Sequence, residues 1–493
     1  MVKRTKIIGT LGSATDSESV LKSLILAGMD VARFNFSHGA AAEHKARMKR
    51  LKKVRRELGV NLACMLDTKG PCIRTGKLEN GEDVFLRAGQ HFTLCEEDVL
   101  GNKRRVHQSF KGLHNYVEPR TIILIDNGLI ELAVDKTEGT DVCCTVQNCG
   151  TLKENKQINL PQTKLDLPAM TEQDKQDLLF GIEQGFDFVA TSFIKNANDI
   201  KEIRSFLDDN GGASIRIVAK IENAQAVENI DEIIAASDAI MIARGDLGVE
   251  VASHKVPHLQ KKIIKACNRA YKPAIIATQM LDSMISCPRP TRAEVTDVSN
   301  AIYDGADALM LSAETAIGKY SIAAVQNMQR IAQASEPYIY KDGSIPNRDD
   351  GQASISAVIG LSATTSAESL NARCIIVPTI TGRSARLISN YRPNVPIYAV
   401  TTDEACCRSL QLNWGVTPLC GKVKGEANFI LEQACAEVEK EGFVEKGDIC
   451  IVTLGDRRTS PKNVPQILTT TSSKATDICP TNVIQIVQIG VKR

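Results

Sequence analysis

The sequence has no excess of charge of either sign and no long apolar run. Its 493 residues carry 60 basic and 58 acidic side chains, a net charge of +2, which argues against a dedicated nucleic-acid or membrane-surface binder. No apolar run approaches the ~18 residues of a membrane-spanning helix. The N-terminal stretch MVKRTKIIGTLG enters a strand-like run at once, so we expect neither a signal nor a transit peptide. We therefore expect a cytoplasmic protein with no nucleic-acid or membrane partner.

Cysteine motifs typical of metal or redox sites are also missing. None of the 15 cysteines belongs to a CxxC pair. The adjacent pairs Cys143–Cys144 and Cys406–Cys407 cannot easily bridge to each other, so we interpret the cysteines as reduced thiols. There is no short-period repeat and no low-complexity tract. An ordinary apolar content of 43% in a chain of this length predicts two to four globular domains.

Eight short apolar runs alternate with amphipathic helical stretches. Each run is apolar nearly throughout, as expected for a parallel strand that is buried on both faces. Eight consecutive strand–helix units predict a (β/α)8 barrel rather than an open sheet. The runs begin at Lys6, Val31, Asn61, Phe186, Ser214, Ala239, Pro273 and Asp307.

One unit of this pattern is interrupted, and the pattern changes after the eighth unit. About 100 residues with strand and turn signals separate the third strand from its helix, which predicts a small inserted β domain. The polar segment 340–352 predicts a linker, and the apolar runs beyond it predict an open α/β domain. We therefore divide this α/β chain into the barrel (1–69 and 169–338), the inserted β domain (70–168) and a C-terminal α/β domain (339–493).

Polar side chains end seven of the eight predicted strands. One polar residue at the end of a strand is usually structural, but seven strands that end this way predict a site, because barrel enzymes hold their active sites at the carboxyl ends of the strands. These residues are Arg33, Asn35, Ser37, Asp67, Ser192, Lys220, Glu222, Asp246, Thr278, Ser312 and Glu314.

The types of these residues indicate the chemistry. Glu222 and Asp246 are hard oxygen ligands on neighbouring strands, and two carboxylates completed by substrate oxygens suit Mg²⁺. The alternative is that both form ion pairs, with Lys220 and Arg244. Lys220 is placed to stabilise negative charge that develops on an oxygen, and Arg33 can bind a phosphate through two N–H groups.

Two further groups could bind ions. The turn ARGDLG offers the backbone N–H groups of Gly245 and Asp246 to a carboxylate or phosphate. An all-oxygen cluster with one formal charge suits a monovalent cation, and it consists of Asn35, Ser37, Asp67 and the carbonyl of Thr68. With a metal, a lysine, an arginine and no His or Cys nucleophile, the site indicates phosphoryl transfer or enolate chemistry.

Six motifs together resemble the signatures of the pyruvate kinase family, in family order and spacing, from about residue 6 to residue 491. They are VARFNFSHG, LDTKGPxIRTG, KIEN, MIARGDLGVEV, ATQMLDSM and PRPTRAEVTDVSNA. The resemblance implies a glycolytic phosphotransferase that transfers the phosphoryl group of phosphoenolpyruvate to ADP. The products would be pyruvate and ATP, formed through a metal-stabilised enolate that is then protonated. It also implies a catalytic barrel, an inserted domain that is a β-barrel lid, and a C-terminal domain that binds an effector. The assembly would be an allosteric homotetramer with PRPTRAEV at a subunit contact.

Carried over position by position, the resemblance implies a role for each site residue. Lys220 would stabilise the transition state, and Glu222 and Asp246 would bind Mg²⁺ or Mn²⁺. Thr278 would help to deliver the proton through water. The substrate would be held by Arg33, Lys220, Gly245, Asp246 and Thr278. The nucleotide would face Asn35, His38, Arg74 and Lys156, and K⁺ would be bound by Asn35, Ser37, Asp67 and Thr68. From the residues alone, His38 could equally satisfy a local backbone group.

A second predicted site lies in the C-terminal domain, where TITGRSA spans a strand-to-helix turn. The turn suits a phosphate, and the alternative is helix capping. The resemblance implies that this is the effector pocket, which binds a sugar phosphate in many relatives; its residues here are Thr379, Thr381, Arg383 and Ser384. A second phosphate could pair with Lys422, Lys424, Arg457 and Arg458.

Several positions depart from the family pattern. Asn127 replaces a lid carboxylate, and Ala313 replaces a glycine. The segment 453–480 has no recognisable effector-loop motif. Cys72 stands where K⁺-dependent relatives carry Glu and K⁺-independent relatives carry Lys. Because an ordinary thiol titrates near ~8.5 and is mostly neutral, we expect K⁺ to activate but to bind more weakly than in relatives with Glu.

Two alternative functions remain open from the sequence. A metal-dependent barrel lyase or aldolase would also form an enolate, but it would need neither a nucleotide lid nor a K⁺ cluster. A non-catalytic scaffold should have lost Lys220, Glu222 or Asp246, and all three are present.

Overall fold

The computed structural model describes residues 3–161, 163–339, 354–423, 425–455 and 481–490. The predicted linker and the three basic residues Lys424, Arg457 and Arg458 lie outside the described residues, as does most of the segment 453–480. None of the helices in these ranges combines the length and the apolar composition that crossing a membrane requires.

Eight parallel strands close into a barrel, which confirms the prediction. Their hydrogen-bonded order is β1-β17-β16-β15-β14-β13-β3-β2. The residues of these strands are almost all buried, since helices cover the outer face and side chains fill the interior, and this explains their unbroken apolar runs. The strands are β1 (Lys6–Thr10), β2 (Val31–Asn35), β3 (Ala63–Asp67), β13 (Phe188–Thr191), β14 (Arg216–Ile221), β15 (Ala239–Ala243), β16 (Ala274–Ala277) and β17 (Ala308–Leu311).

Helices surround the barrel and begin and end at local sequence signals. Before α3, for example, the Thr171 side chain accepts a hydrogen bond from the Asp174 N–H, and Gly185 ends the helix with φ = 66°, a conformation that favours glycine. The barrel helices are α1 (Glu18–Leu26), α2 (Ala41–Leu58), α3 (Glu172–Gln184), α4 (Ala197–Asp209), α5 (Ala224–Glu228), α6 (Ile230–Ala236), α7 (Arg244–Glu250), α8 (Val256–Arg269), α9 (Arg292–Tyr303), α10 (Ala313–Ala316) and α11 (Ser321–Ser335).

The insertion after β3 forms a separate β domain with its own core, as predicted. Its main sheet has the order β4-β12-β8-β9-β10-β6-β7, and β5 pairs with β11. A bridge between Thr75 and Gln108 joins the two outer strands, so the main sheet closes on itself. The strands are β4 (Ile73–Arg74), β5 (Val84–Leu86), β6 (His91–Cys95), β7 (Arg105–His107), β8 (Ile122–Ile125), β9 (Ile130–Glu138), β10 (Asp141–Val146), β11 (Gly150–Leu152) and β12 (Gln157–Asn159).

The C-terminal domain is an open five-stranded sheet with the order β20-β19-β18-β21-β22. Four of its strands match the predicted runs, whereas the edge strand β22, antiparallel to β21, was not predicted. The strands are β18 (Cys374–Pro378), β19 (Ile397–Thr401), β20 (Val416–Cys420), β21 (Ile449–Leu454) and β22 (Val483–Gln488). The helices are α12 (Ile355–Ser369), α13 (Arg383–Asn390), α14 (Glu404–Ser409) and α15 (Ala427–Lys440).

A buried ion pair joins the C-terminal domain to the barrel at the amino ends of the barrel strands. Arg392 Nη1 lies 2.8 Å from Asp307 Oδ1, and the two side chains are 8% and 7% exposed. Arg392 also donates to the Gly305 carbonyl (2.7 Å) and lies over the Trp414 ring. Asp307 Oδ2 accepts from the Ala274 N–H at 3.0 Å, so the carboxylate also links β16 to β17.

We expect Arg392→Ala to lower the free energy of unfolding by about 3–5 kcal/mol, because removing one partner leaves a buried, uncompensated carboxylate. The urea midpoint and the melting temperature would measure the loss. Arg373→Ala is the matched control, since Arg373 is 61% exposed and lies 3.8 Å from Asp448; its effect should stay below ~1 kcal/mol. Equal midpoints for the two variants would contradict a structural role for the buried pair.

Candidate active site

Three charged side chains point into the mouth of the barrel at the carboxyl ends of its strands. Val31, Met65 and Val218 belong to the core inside the barrel. The residues two positions later on the same strands are Arg33, Asp67 and Lys220. Since alternate residues of a strand share a face, these three point inward at the carboxyl ends, above the last layer of apolar side chains.

These side chains form one charge network. Lys220 Nζ lies 2.7 Å from Glu222 Oε1 and 3.2 Å from Asp67 Oδ1, and it donates to Ser192 Oγ at 2.7 Å. Arg33 Nε donates to the other oxygen of Asp67 at 2.6 Å. Two cations are therefore held side by side by one carboxylate, in a place that water reaches poorly.

The network determines which groups carry charge. Although burial alone would lower the pKa of Lys220, the carboxylates of Asp67 and Glu222 hold it above its usual value. Burial would likewise raise the pKa of Asp67, but Arg33 and Lys220 hold it below its usual value. Burial raises the pKa of Glu222 to about 7, and the charge of Asp246 acts in the same direction. Lys220 is thus a fixed positive charge at neutral pH.

The predicted Mg²⁺ ligands fit a divalent cation. Glu222 is buried, with Oε2 accepting from the Phe193 N–H at 2.7 Å, and Asp246 is half-buried in the first turn of α7. Burial raises the pKa of Glu222, and the charge of Asp246 adds to this rise; a hard cation bound between the two carboxylates would relieve their repulsion. The described ranges contain no group of three or more acidic, His or Cys side chains arranged for a metal, so substrate and water oxygens would have to complete the shell.

The alternative to a metal site is that Glu222 and Asp246 form ion pairs with Lys220 and Arg244. Of these two predicted pairs, which both lie in the described part of the chain, the structure contains only the one between Glu222 and Lys220. Glu222 pairs with Lys220 at 2.7 Å. Arg244 instead pairs with Asp297 at 2.8 Å, and it donates to the Thr278 carbonyl at 2.8 Å.

The substrate turn is held by a strained threonine. The Gly245 N–H donates to Thr278 Oγ1 at 2.8 Å, and the Thr278 hydroxyl donates to the Ala277 carbonyl at 2.6 Å. Thr278 has φ = +72°, which is costly for a β-branched residue and is typical of functional sites. The backbone therefore aims this hydroxyl at the ARGDLG turn.

The predicted K⁺ ligands come together at the ends of β2 and β3, where Asn35 lies opposite Asp67. Asn35 Oδ1 accepts from the Ser37 N–H at 3.1 Å, and the Thr68 carbonyl accepts from Ser192 Oγ at 2.7 Å. Asp67 Oδ1 is buried, and its one close cation in the described part of the chain is Lys220 Nζ at 3.2 Å. These neutral oxygens and one carboxylate fit a monovalent cation.

The predicted nucleotide residues of the lid lie close together, with Arg74 at the end of β4 and Lys156 just before the neighbouring strand β12. Arg74 pairs with Gln157, next to Lys156. Lys156 Nζ lies 2.9 Å from Asp126, a partner that the sequence did not reveal. In the barrel, burial and then the charge of Arg74 lower the pKa of His38, so the lid arginine acts electrostatically on the barrel histidine.

The hinge between barrel and lid contains Cys72. Arg74 Nε donates to Cys72 Sγ at 3.1 Å, and Arg74 Nη1 donates to the Asn155 carbonyl at 2.9 Å. Gly70 has φ = +70°, and a Cβ there would lie 2.8 Å from Ser192 Cβ, so only glycine fits at this turn. Cys72 thus contacts the predicted nucleotide arginine directly.

The predicted effector turn is compact. The Gly382 N–H donates to Thr379 Oγ1 at 3.0 Å, and the hydroxyl of Ser384 hydrogen-bonds that of Thr481. The residue before α13 is Gly382, with φ = 77° and no side-chain cap, so the capping alternative is not realised by Thr381 or Ser384. Thr379, Thr381, Arg383 and Ser384 therefore share one turn, whereas of the four later basic residues only Lys422 lies among the described residues.

Ser192 is a site residue whose contacts the sequence did not reveal. Its hydroxyl receives a hydrogen bond from Lys220 Nζ and donates one to the Thr68 carbonyl, both at 2.7 Å. It therefore connects the predicted catalytic lysine to the predicted K⁺ site. In the sequence, the one indication of this role was that Ser192 is a polar residue at the end of the fourth predicted strand.

Comparison with known proteins identifies the family. The family model "Pyruvate kinase, barrel domain" matches residues 2–325, and "Pyruvate kinase, alpha/beta domain" matches residues 357–468. A pyruvate kinase of Clostridium acetobutylicum is 46% identical over 456 residues, covering 92% of this chain and 96% of the relative. A pyruvate kinase of Bacillus licheniformis is 44% identical over 457 residues, covering 92% of this chain and 78% of the relative. A crystal structure of a pyruvate kinase from Cryptosporidium parvum matches with a TM-score of 0.89 at 36% identity, covering 99% and 96%.

The strain at Thr278 can be tested with two substitutions that both remove its hydroxyl. Thr278→Gly should be more stable than Thr278→Ala by about 1 kcal/mol, because alanine keeps the strain of a positive φ and glycine relieves it. Glycine also increases the entropy of the unfolded chain, but this destabilising effect is smaller than the strain it removes. Urea unfolding of the two variants measures the difference. An alanine variant at least as stable as the glycine variant would show that the backbone is not strained here.

Proposed function

The chain belongs to the pyruvate kinase family of glycolytic phosphotransferases, and on this premise we propose that it transfers the phosphoryl group of phosphoenolpyruvate to ADP, giving pyruvate and ATP. The observation that carries this proposal is the buried charge network, in which Asp67 and Glu222 hold Lys220 beside Arg33. Fixed positive charges in a water-poor site act where negative charge develops during phosphoryl transfer.

The residues of the barrel mouth bind and orient the substrate. Arg33 donates Nε–H to Asp67 and an Nη1–H to Thr10, and it binds the phosphoryl group through its remaining N–H groups. The N–H groups of Gly245 and Asp246 bind the carboxylate. The Gly245 N–H must then leave Thr278 Oγ1, which it contacts at 2.8 Å in this structure. That exchange releases the Thr278 hydroxyl to act on the substrate.

Negative charge first develops on the enolate oxygen, and the enolate carbon is protonated afterwards. As the phosphorus–oxygen bond breaks, the electron pair stays on the enolate oxygen, and the ammonium of Lys220 stabilises this charge. The enolate carbon next takes up a proton, which Thr278 helps to deliver through water. A positively charged Lys220 is consistent with its raised pKa.

The cations belong to the barrel mouth. Glu222 and Asp246 would hold Mg²⁺ or Mn²⁺, which supplies positive charge to substrate oxygens when bound. K⁺ would be held by Asn35, Ser37, Asp67 and Thr68. Ser192 accepts a hydrogen bond from Lys220 and donates one to the Thr68 carbonyl, both at 2.7 Å, and this supports a link between the proposed K⁺ ligand Thr68 and the lysine beside Glu222.

The nucleotide is bound between barrel and lid, facing Asn35, His38, Arg74 and Lys156. The two lid cations favour phosphoryl transfer to a nucleotide over the alternative of a barrel lyase or aldolase, which has no need of them. The lid ion pair between Lys156 and Asp126 at 2.9 Å keeps one acidic group in the lid although Asn127 has replaced another.

The remaining expectations are proposals that rest on the family. We propose a cytoplasmic homotetramer; a monomer by light scattering would exclude it. We also propose that a phosphorylated sugar binds the turn of Thr379, Thr381, Arg383 and Ser384. Calorimetry with hexose mono- and bisphosphates would exclude this if none binds, or if binding is unchanged in Ser384→Glu.

Replacing Lys220 tests the proposed reaction. We expect Lys220→Met to reduce pyruvate formation by ~10²–10³-fold, because it removes one preorganised charge. A coupled assay with and without ADP measures this loss and separates phosphoryl transfer from lyase chemistry, which needs no ADP. Lys201→Met, on the exposed surface of α4, is the control and should keep its activity. A Lys220→Met variant with more than half of the native activity would exclude the assigned role.

Replacing Cys72 tests the K⁺ proposal. Cys72→Glu would place a carboxylate where Arg74 Nε now donates to a thiol at 3.1 Å, restoring one negative charge near the cation site. We expect a steeper dependence of activity on KCl when a large organic cation keeps the ionic strength constant, since one charge can shift cation binding by about 1 kcal/mol. Cys72→Ser keeps the position neutral and should follow the native curve. Coincident curves for Cys72→Glu and the native chain would show that the residue has no electrostatic role.

A further inference from the structure

Two cysteines of the C-terminal domain meet at a distance close to that of a covalent bond. Cys407 lies in α14, and Cys420 is the last residue of β20. Their Sγ atoms are 2.7 Å apart, about 0.65 Å longer than the ~2.05 Å of a disulfide. Sequence analysis predicted only that Cys407 does not bridge to its neighbour Cys406. In the folded chain the Cys407 thiol instead contacts that of Cys420, at the end of the following strand.

The two thiols differ in exposure and in acidity. Cys420 is exposed, whereas Cys407 is buried. Their mutual hydrogen bond lowers the pKa of Cys420, and the same hydrogen bond, together with burial, raises that of Cys407. An oxidant from solvent therefore meets the more acidic thiol first, and the second thiol lies behind it. This is the arrangement of an attacking and a resolving cysteine.

We propose that Cys407 and Cys420 form a redox modification site at which hydrogen peroxide closes an intramolecular disulfide. The Cys420 thiolate attacks one peroxide oxygen, the O–O bond breaks, and the products are a sulfenic acid and, after protonation, water. Cys407 Sγ then attacks the Cys420 sulfur, the S–O bond breaks, and a second water leaves. Both thiols are oxidised to one disulfide, and one peroxide is reduced to two waters. A dithiol reverses the reaction by thiol–disulfide exchange.

A second close pair provides an internal comparison. Cys374 and Cys450 lie opposite each other on the parallel strands β18 and β21, with their Sγ atoms 3.5 Å apart. Both are fully buried, so peroxide has no direct path to either thiol. Exposure of one partner, combined with the shorter distance, therefore distinguishes the Cys407–Cys420 pair.

The disulfide would connect two segments that both contact the barrel. Arg408, next to Cys407, lies 2.7 Å from Asp187, and the Asn61 side chain donates to the Pro418 carbonyl at 3.1 Å. Asp187 and Asn61 precede β13 and β3, so these contacts lie at the amino ends of the barrel strands. The modification would thus join α14 to β20 at the domain contact, at the opposite end of the strands from the catalytic residues.

Peptide mapping of the full-length enzyme tests the site. The protein is treated with hydrogen peroxide, unfolded in urea so that buried thiols react, alkylated with iodoacetamide, digested and analysed by mass spectrometry. We expect a cross-linked peptide pair containing Cys407 and Cys420, lighter than the two thiol peptides by two hydrogen atoms, with loss of both alkyl labels. Dithiothreitol before alkylation should restore both labels.

Single substitutions make the test specific. Cys420→Ser, at an exposed position, and Cys407→Ala should each abolish the cross-link, whereas Cys374→Ala, in the buried pair, should leave it intact. Three results would overturn the proposal: unchanged alkylation of Cys420 after peroxide, oxidation of Cys420 to a sulfinic acid without a cross-link, or a disulfide from Cys420 to a thiol other than Cys407.

Discussion

The active site depends on one buried lysine and the carboxylates that hold it. Moving an ammonium group into a protein interior costs several kcal/mol unless well-placed anions and hydrogen bonds compensate. For Lys220 this compensation comes from Glu222 on the same segment, from Asp67 on β3 and from the hydroxyl of Ser192. Because these partners come from three parts of the barrel, the buried charge is compensated only when the barrel has closed.

The partners of Lys220 also hold other residues of the candidate site. Asp67 also holds Arg33 on β2 at 2.6 Å, so one carboxylate fixes the spacing of both cations. Ser192 is placed by Thr68 at the carboxyl end of β3, and the nearby turn at Gly70 leads into the lid. The predicted substrate residues, the predicted K⁺ ligands and the lid hinge therefore share a few hydrogen bonds, and a shift in any strand register would separate them.

Much of the architecture follows from local patterns. Eight apolar runs predicted the barrel correctly, because a parallel strand covered on both faces must be apolar up to the point where it leaves the sheet. Their polar carboxyl ends indicated the candidate site. The lid and four strands of the C-terminal domain were found in the same way. The edge strand β22 was missed, since VIQIVQ mixes apolar and polar residues and pairs with β21 only through the antiparallel edge.

The sequence by itself determined which residues stand at the carboxyl ends of the barrel strands, since strand periodicity and polarity are local properties. Only the tertiary structure decided their partners: Arg244 pairs with Asp297 rather than with Asp246, Lys156 pairs with Asp126, and Cys407 meets Cys420 rather than its neighbour. These pairings depend on distances of a few ångströms between segments that are separate in the chain. Such distances are determined by sheet register and helix packing, which no local pattern encodes.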